Sequence, residues 1–195
     1  VQFDLNDESQ IKEAASNILS SNSSIDILVN NAATIHTALF QMTSIKKLKE
    51  LFETDFFSQT LFTQYILKSM IKKKAGSILY ISSSSALDGN EGRSAYSSAK
   101  AAMIAQAKVL SREVGIYNIR VNAIAPGPFP SKMLGSAVEF DYKELEAKNP
   151  RGRIGTPEDI AGLAIFLSSR AGAYTIGEVI TCDGGLVASA GHDLS

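Results

Sequence analysis

A doubly wound parallel α/β sheet is the fold class this sequence predicts, and three observations predict it. Short apolar runs alternate along the chain with segments of helical period. Three of those runs end in polar or Pro-Gly turns, at Asn30-Asn31, Ser82-Ser83 and Pro126-Gly127. Strands joined through crossover helices are parallel, with helices packed on both faces.

Taken in order, Val1 to Leu5 reads as the end of a strand. Asp7 to about Ser20 is a helix with Ile11, Ala14, Ala15, Ile18 and Leu19 on one side. Residues 25–30 form a second strand, followed by a loop and a long helix over about 44–73. Ile78 to Ile81 lie in a strand spanning 77–82, and the serines 82–85 form its exit loop. The next helix carries Tyr96 and Lys100 and ends near Gly115. A strand at 119–124 opens an irregular stretch over 126–155. Thr156-Pro157-Glu158-Asp159 starts another helix, with threonine as N-cap, proline at the first helical position and carboxylates facing the helix dipole. The last strand is 178–182. A chain of 195 residues makes one domain, residues 1–195, able to bury roughly 70% of its unfolded surface.

Composition excludes several classes of partner. A net charge of −1 and a pI near 6.2 give no electrostatic basis for binding nucleic acid or an anionic membrane. Lys72-Lys73-Lys74 reads as a solvated helix end, where cations suit the dipole. Cys182 is the only cysteine, which precludes an internal disulfide, and its apolar strand makes it a small core residue. No apolar run approaches the length of a membrane span. No histidine or cysteine spacing suits a metal, and His36 reads as an ordinary loop residue. Phe52, Phe56, Phe57 and Phe62 read as core and subunit interface.

The chemistry is concentrated in Tyr-Ser-Ser-Ala-Lys, residues 96–100. Positions i and i+4 share a helix face about 5–6 Å apart, so Lys100 lies beside Tyr96. A free phenol has a pKa of about 10, and a neighbouring cation favours its ionised form. Such a phenol can exchange a proton with an alcohol or carbonyl oxygen. The bland reading of the pair is an exposed helix face. Ser83 stands at the carboxyl end of a strand, where ligands of open α/β sheets bind. The other serines of the run read as a polar loop.

In this order and spacing the motifs resemble the short-chain dehydrogenase/reductases, in their 3-oxoacyl-[acyl-carrier-protein] reductase-like branch. They are NNAA at 30–33, GSILYISS at 76–83, YSSAK at 96–100, IRVNAIAPG at 119–127, GRIGTPEDIA at 152–161 and VITCDGG at 179–185. The resemblance implies a Rossmann-like fold and an oxidoreductase that interconverts a carbonyl and a secondary alcohol by hydride transfer, with NAD or NADP as cofactor. It implies Tyr96 as general acid/base, Lys100 as partner of the phenol and of the nicotinamide ribose, and Ser83 as donor to the substrate oxygen. Asp4, Asn30 and Ala32 would face the adenine and ribose side, and Pro126, Gly127, Phe129 and Ser131 the nicotinamide side. A small-molecule substrate, a cytoplasmic location and a homo-oligomer, dimer or tetramer, are further implications.

Two residues depart from the family pattern. Asp55 stands for a catalytic asparagine whose main-chain carbonyl holds a water linked to the lysine. It either preserves that role with an added negative charge near Lys100 or marks a weakened enzyme. Ala33 replaces a glycine near the cofactor. The sequence also begins inside a strand, without the family's first β-α-β-α segment and its glycine-rich phosphate loop. Its fold is therefore expected to be an N-terminally truncated one. Residues 1–195 alone are expected to be poorly soluble and to bind neither NAD nor NADP at millimolar concentration.

Two other classes stay open on the residues alone. One is a catalytically silent member or fragment that acts through subunit assembly. The other is a serine hydrolase using Ser83 with Lys100, which lacks the G-x-S-x-G elbow.

Overall fold

The computed structural model describes residues 1–22, 24–130 and 142–189. Four parallel strands, β1 (Ile27–Asn30), β2 (Gly76–Ile81), β3 (Ile119–Pro126) and β4 (Val179–Cys182), lie side by side in chain order. Leu28 pairs with Ile78, Ile78 with Val121, and Ile124 with Ile180.

Alternation along β2 divides the core. Ile78 and Tyr80 face one layer with Val121 and Ala123 of β3. There they meet α1 (Glu8–Ser21), α3 (Ser58–Lys73) and α5 (Ser94–Val114) through Ala15, Ile66, Met70, Met103 and Ala107. Leu79 and Ile124 face the opposite layer and meet Leu167 of a helix spanning Pro157–Ser168. Both faces are covered, so the central strands read as continuous apolar runs.

Local signals set the helix ends. Asp7 caps α1 by accepting from the backbone N–H groups of Ser9 and Gln10. Bonds from the Ser9 and Gln10 side chains, followed by these backbone bonds, hold its carboxyl down at about 2. Pro157 opens the last long helix, as the sequence anticipated, and Asp159 reaches back to accept from the N–H of Thr156 at 2.7 Å. Gly76 is needed where α3 turns into β2, because a Cβ there would lie 2.6 Å from the Met70 sulfur.

Three expectations need correction. Val1 to Leu5 is not a strand. The segment carries no ladder bonds and turns at Leu5-Asn6 into α1, and β1 is paired only with β2 among the described residues. The helix expected over 44–73 is not continuous. It runs as α2 (Ile45–Phe52), then a π turn over Glu53–Phe57, then α3. Within the stretch expected to be irregular, Tyr142–Lys148 forms a short helix.

Candidate active site

Helix α5 carries a buried stripe of Ala95, Tyr96, Ala99, Lys100, Met103, Ile104 and Ala107. Its i, i+3, i+4 spacing is that of a core-facing helix, and Tyr96 and Lys100 fall within it. Tyr96 is 7% exposed and Lys100 is 1% exposed. An exposed helix face is therefore not what this pair forms.

A lysine enclosed to that degree needs acceptors. Its Nζ donates to the carbonyl oxygen of Ile81 at 2.9 Å, at the end of β2. The Met103 sulfur lies 3.6 Å away, and Asp55 Oδ2 lies 4.0 Å away. The centroid of the Tyr96 ring is 5.8 Å from the ammonium. The Ser83 side chain lies close enough to the Tyr96 phenol to favour its ionised form. Ser83 follows β2, is itself buried, and accepts from the backbone N–H of Ser85 at 3.2 Å. Next to it, Ser82 donates to the Lys100 carbonyl at 2.8 Å and so clamps the β2 exit onto α5. Ser83, Tyr96, Lys100 and Asp55 thus meet at the carboxyl end of the sheet.

Asp55 arrives through the π turn, and such turns are frequent at functional sites. The Gln59 side-chain amide donates to the carbonyls of Asp55 at 3.0 Å, Thr54 at 3.3 Å and Ala32 at 2.7 Å. These bonds tie the widened turn to the loop after β1. The Asp55 carboxylate is fully buried. Its Oδ1 accepts from the N–H of Thr34 at 2.7 Å and from the Thr34 hydroxyl at 3.1 Å.

Burial pushes the Tyr96 phenol above its ordinary range. Ser83 opposes this, the Asp55 charge adds to it, and Arg93 opposes it. Burial lowers the Lys100 ammonium and Asp55 opposes that. Burial raises the Asp55 carboxyl, against Lys100 and the bonds from Thr34. The expectation that Lys100 draws the phenol toward ionisation is thus corrected. Enclosure dominates, and the groups favouring the phenolate are Ser83 and Arg93. Arg93 was missed by sequence reasoning, although its i, i+3 spacing from Tyr96 was available as a signal.

The remaining expected residues are placed unequally. Asn30 ends β1, buried, and donates to the Thr63 hydroxyl at 2.9 Å. The Asp4 carboxylate is exposed and accepts from the N–H and side chain of Asn6. Pro126 accepts from the N–H of Ser84 at 2.8 Å, and Gly127 donates to the Cys182 carbonyl at 3.0 Å. Phe129 packs over Gly155, whose added Cβ would fall 2.4 Å from the ring. Ser131 lies outside the described residues. Beyond β3 and β4 opens a concavity of about 580 Å³ lined by Phe129, Asn149, Arg151, Cys182 and Asp183, with neither Ser83 nor Tyr96 in its wall. Cys182, expected in the core, is partly exposed on this wall, and burial raises its thiol.

The residues present fit the nicotinamide-ribose end of a dinucleotide. The Lys100 ammonium has three donors, and its one hydrogen-bonded oxygen acceptor among the described residues is the Ile81 carbonyl. It also stands beside the phenol at the ends of parallel strands, where such ligands bind. Among the described residues, no helix is long and apolar enough to cross a membrane.

Residues 1–187 match a family model described as enoyl-(acyl carrier protein) reductase. The chain is 36% identical over 183 residues to the 3-oxoacyl-[acyl-carrier-protein] reductase FabG of Chlamydia trachomatis serovar D, covering 94% of this chain and 74% of that protein. It is 32% identical to the 2-dehydro-3-deoxy-D-gluconate 5-dehydrogenase of Formosa agariphila, over 97% of this chain and 73% of that protein. Among solved structures, ElxO with NADP bound superposes with a TM-score of 0.90 at 29% identity, over 96% of this chain and 77% of ElxO. The gluconate 5-dehydrogenase of Burkholderia cenocepacia J2315, in complex with NADP and tartrate, also gives 0.90, at 26% identity over 95% and 74%.

Proposed function

The chain belongs to the short-chain dehydrogenase/reductase family, whose members are NAD(P)-dependent oxidoreductases of carbonyls and alcohols, and from that membership we propose that Tyr96 is its general acid/base. The observation that carries this is the placement of the buried Tyr96 beside Ser83 and the buried Lys100 at the carboxyl end of β2. A substrate carbonyl oxygen set between the two hydroxyls accepts a hydrogen bond from Ser83 and a proton from Tyr96. When bound, the cofactor supplies or takes up the hydride. Lys100 holds the ribose side and places a positive charge near the oxygen that gains negative charge. In the alcohol direction the proton returns to Tyr96.

Asn30 and Ala32 are the proposed contacts of the adenosine side, with Asp4 on the adjoining turn. Pro126, Gly127, Phe129 and Ser131 are the proposed contacts of the nicotinamide side. The relatives' named activities indicate the first substrates to assay, 3-oxoacyl thioesters and keto-sugar acids, each with NADH and with NADPH. Replacing Ser83 with alanine is expected to lower kcat/KM by about tenfold or more, since one hydrogen bond to the substrate oxygen is lost. Its effect on cofactor affinity is expected to be small. A loss of cofactor binding equal to the loss of kcat/KM would remove Ser83 from the substrate side.

We place the enzyme in the cytoplasm as a homo-oligomer, dimer or tetramer. Phe57 of the π turn, Val109 of α5 and Ile116 just beyond α5, at 51%, 57% and 82% exposure, support an apolar interface. Light scattering after gel filtration is expected to give a multiple of the protomer mass, and Val109→Lys to lower it. A monomer at micromolar concentration would count against the assembly.

A further inference from the structure

We propose that Asp55 and Lys100 form a direct buried ion pair, with Asp55 acting as a positioning residue that holds the Lys100 ammonium charged through its carboxylate. This rests on the reading of the site given above and departs from the role expected for the residue at position 55, which was a main-chain carbonyl holding a water.

Two observations support the pair. The two oxygens of Asp55 are used differently: Oδ1 is committed to Thr34, whereas Oδ2 is buried with no hydrogen-bond partner. That orphan oxygen lies 4.0 Å from Lys100 Nζ, and the two side chains are 0% and 1% exposed. The separation of Oδ2 and Nζ suits a direct charge contact.

The chemistry of the substitution agrees. An asparagine in this conformation would turn either an amide N–H toward the ammonium, donor against donor, or an oxygen without charge. Only the carboxylate brings an opposite charge. Deep burial makes an unpaired ammonium costly, and Ile81 offers it a carbonyl dipole alone. The groups facing Lys100 are Asp55 from the π turn, the Ile81 carbonyl from β2, and Tyr96 and Met103 from its own helix. Arg93 acts on Tyr96. Asp55 is therefore the one anion among them at neutral pH. The sign follows: with the carboxylate in place Lys100 keeps its proton to higher pH, and without it Lys100 becomes neutral at lower pH.

The test is a lysine titration by NMR on the full protein carrying ¹³Cε-labelled lysine, wild type against Asp55→Asn, with kcat/KM measured over the same pH range. The Lys100 midpoint is expected to fall by about 1 pH unit or more in Asp55→Asn; the alkaline limb of kcat/KM, set by Tyr96, also moves down because Asp55 no longer opposes the phenolate, so the lysine titration decides the pair. A Lys100 midpoint equal in the two folded proteins overturns the pair. If Asp55→Asn does not fold, the reciprocal measurement decides. In Lys100→Gln the Asp55 carboxyl, followed by ¹³Cγ, is expected to titrate at higher pH than in the wild type, and an unchanged midpoint overturns the pair. Failure of the underlying reading shows separately, as wild-type turnover by Tyr96→Phe, an outcome the lysine titration does not depend on.

Discussion

Replacing Tyr96 with phenylalanine is expected to lower turnover by a factor of about 10² or more, the usual contribution of a positioned acid or base. The ring is 7% exposed and packs with Leu51, Ala95 and Ala99, so the substitution keeps the packing and removes only the hydroxyl. Cofactor affinity is expected to stay close to wild type, because Lys100 keeps its bond to Ile81. The pH dependence has a definite sign. Burial holds the phenol above its ordinary range, so at neutral pH Tyr96 carries the proton that carbonyl reduction consumes. Reduction is expected to hold across neutral pH and to fall as pH climbs through the titration of Tyr96, while alcohol oxidation rises over the same interval. Both dependences should vanish in Tyr96→Phe. Stopped-flow single turnovers in each direction check this, and a variant as fast as wild type would exclude Tyr96 as the proton donor.

Gly127→Val is expected to destabilise the fold by about 3 kcal/mol, the upper end of common overpacking costs. A Cβ at position 127 would sit 2.8 Å from the Asp183 Cα and 3.2 Å from its carbonyl oxygen. Those neighbours are backbone, which cannot swing aside as a long side chain does. The ends of β3 and β4 would have to part, stretching the bond from the Gly127 N–H to Cys182. The Pro126 carbonyl, which receives the N–H of Ser84, sits on the same segment. Loss of stability is therefore expected to come with loss of activity. Urea unfolding gives the first and steady-state kinetics the second; a midpoint within error of wild type would show that the strand ends separate at no cost.

Much of the architecture was written in local chemistry. Several strand ends and helix starts have a cause within a few residues. The apolar run through Ile78–Ile81 stops at serines, Thr156-Pro157 starts a helix, and Tyr96 and Lys100 stand four apart on one helix face. Periodicity and capping act over that range, so one chain suffices to read them. Four parallel strands in chain order, and the meeting of Ser83 with Tyr96 and Lys100, agree with those signals. Other features depend on residues far apart in sequence. The π turn at Glu53–Phe57 interrupts a helix whose pattern looks continuous, and it is held by Gln59 reaching the carbonyl of Ala32 in another loop. Val1 to Leu5 has strand-like residues but pairs with no strand among those described, and a strand exists only through its neighbour. The direction of the Tyr96 shift was not legible either. A spacing of four reports that a cation is near, whereas desolvation depends on everything packed around the phenol. The same holds for Asp55. The sequence marks it as a substitution, but only the packing of the π turn against α5 brings its unpartnered oxygen to 4.0 Å from Lys100. Distance and burial between segments 45 residues apart are properties of the tertiary structure, and they decide whether that carboxylate is a neighbour or a bystander.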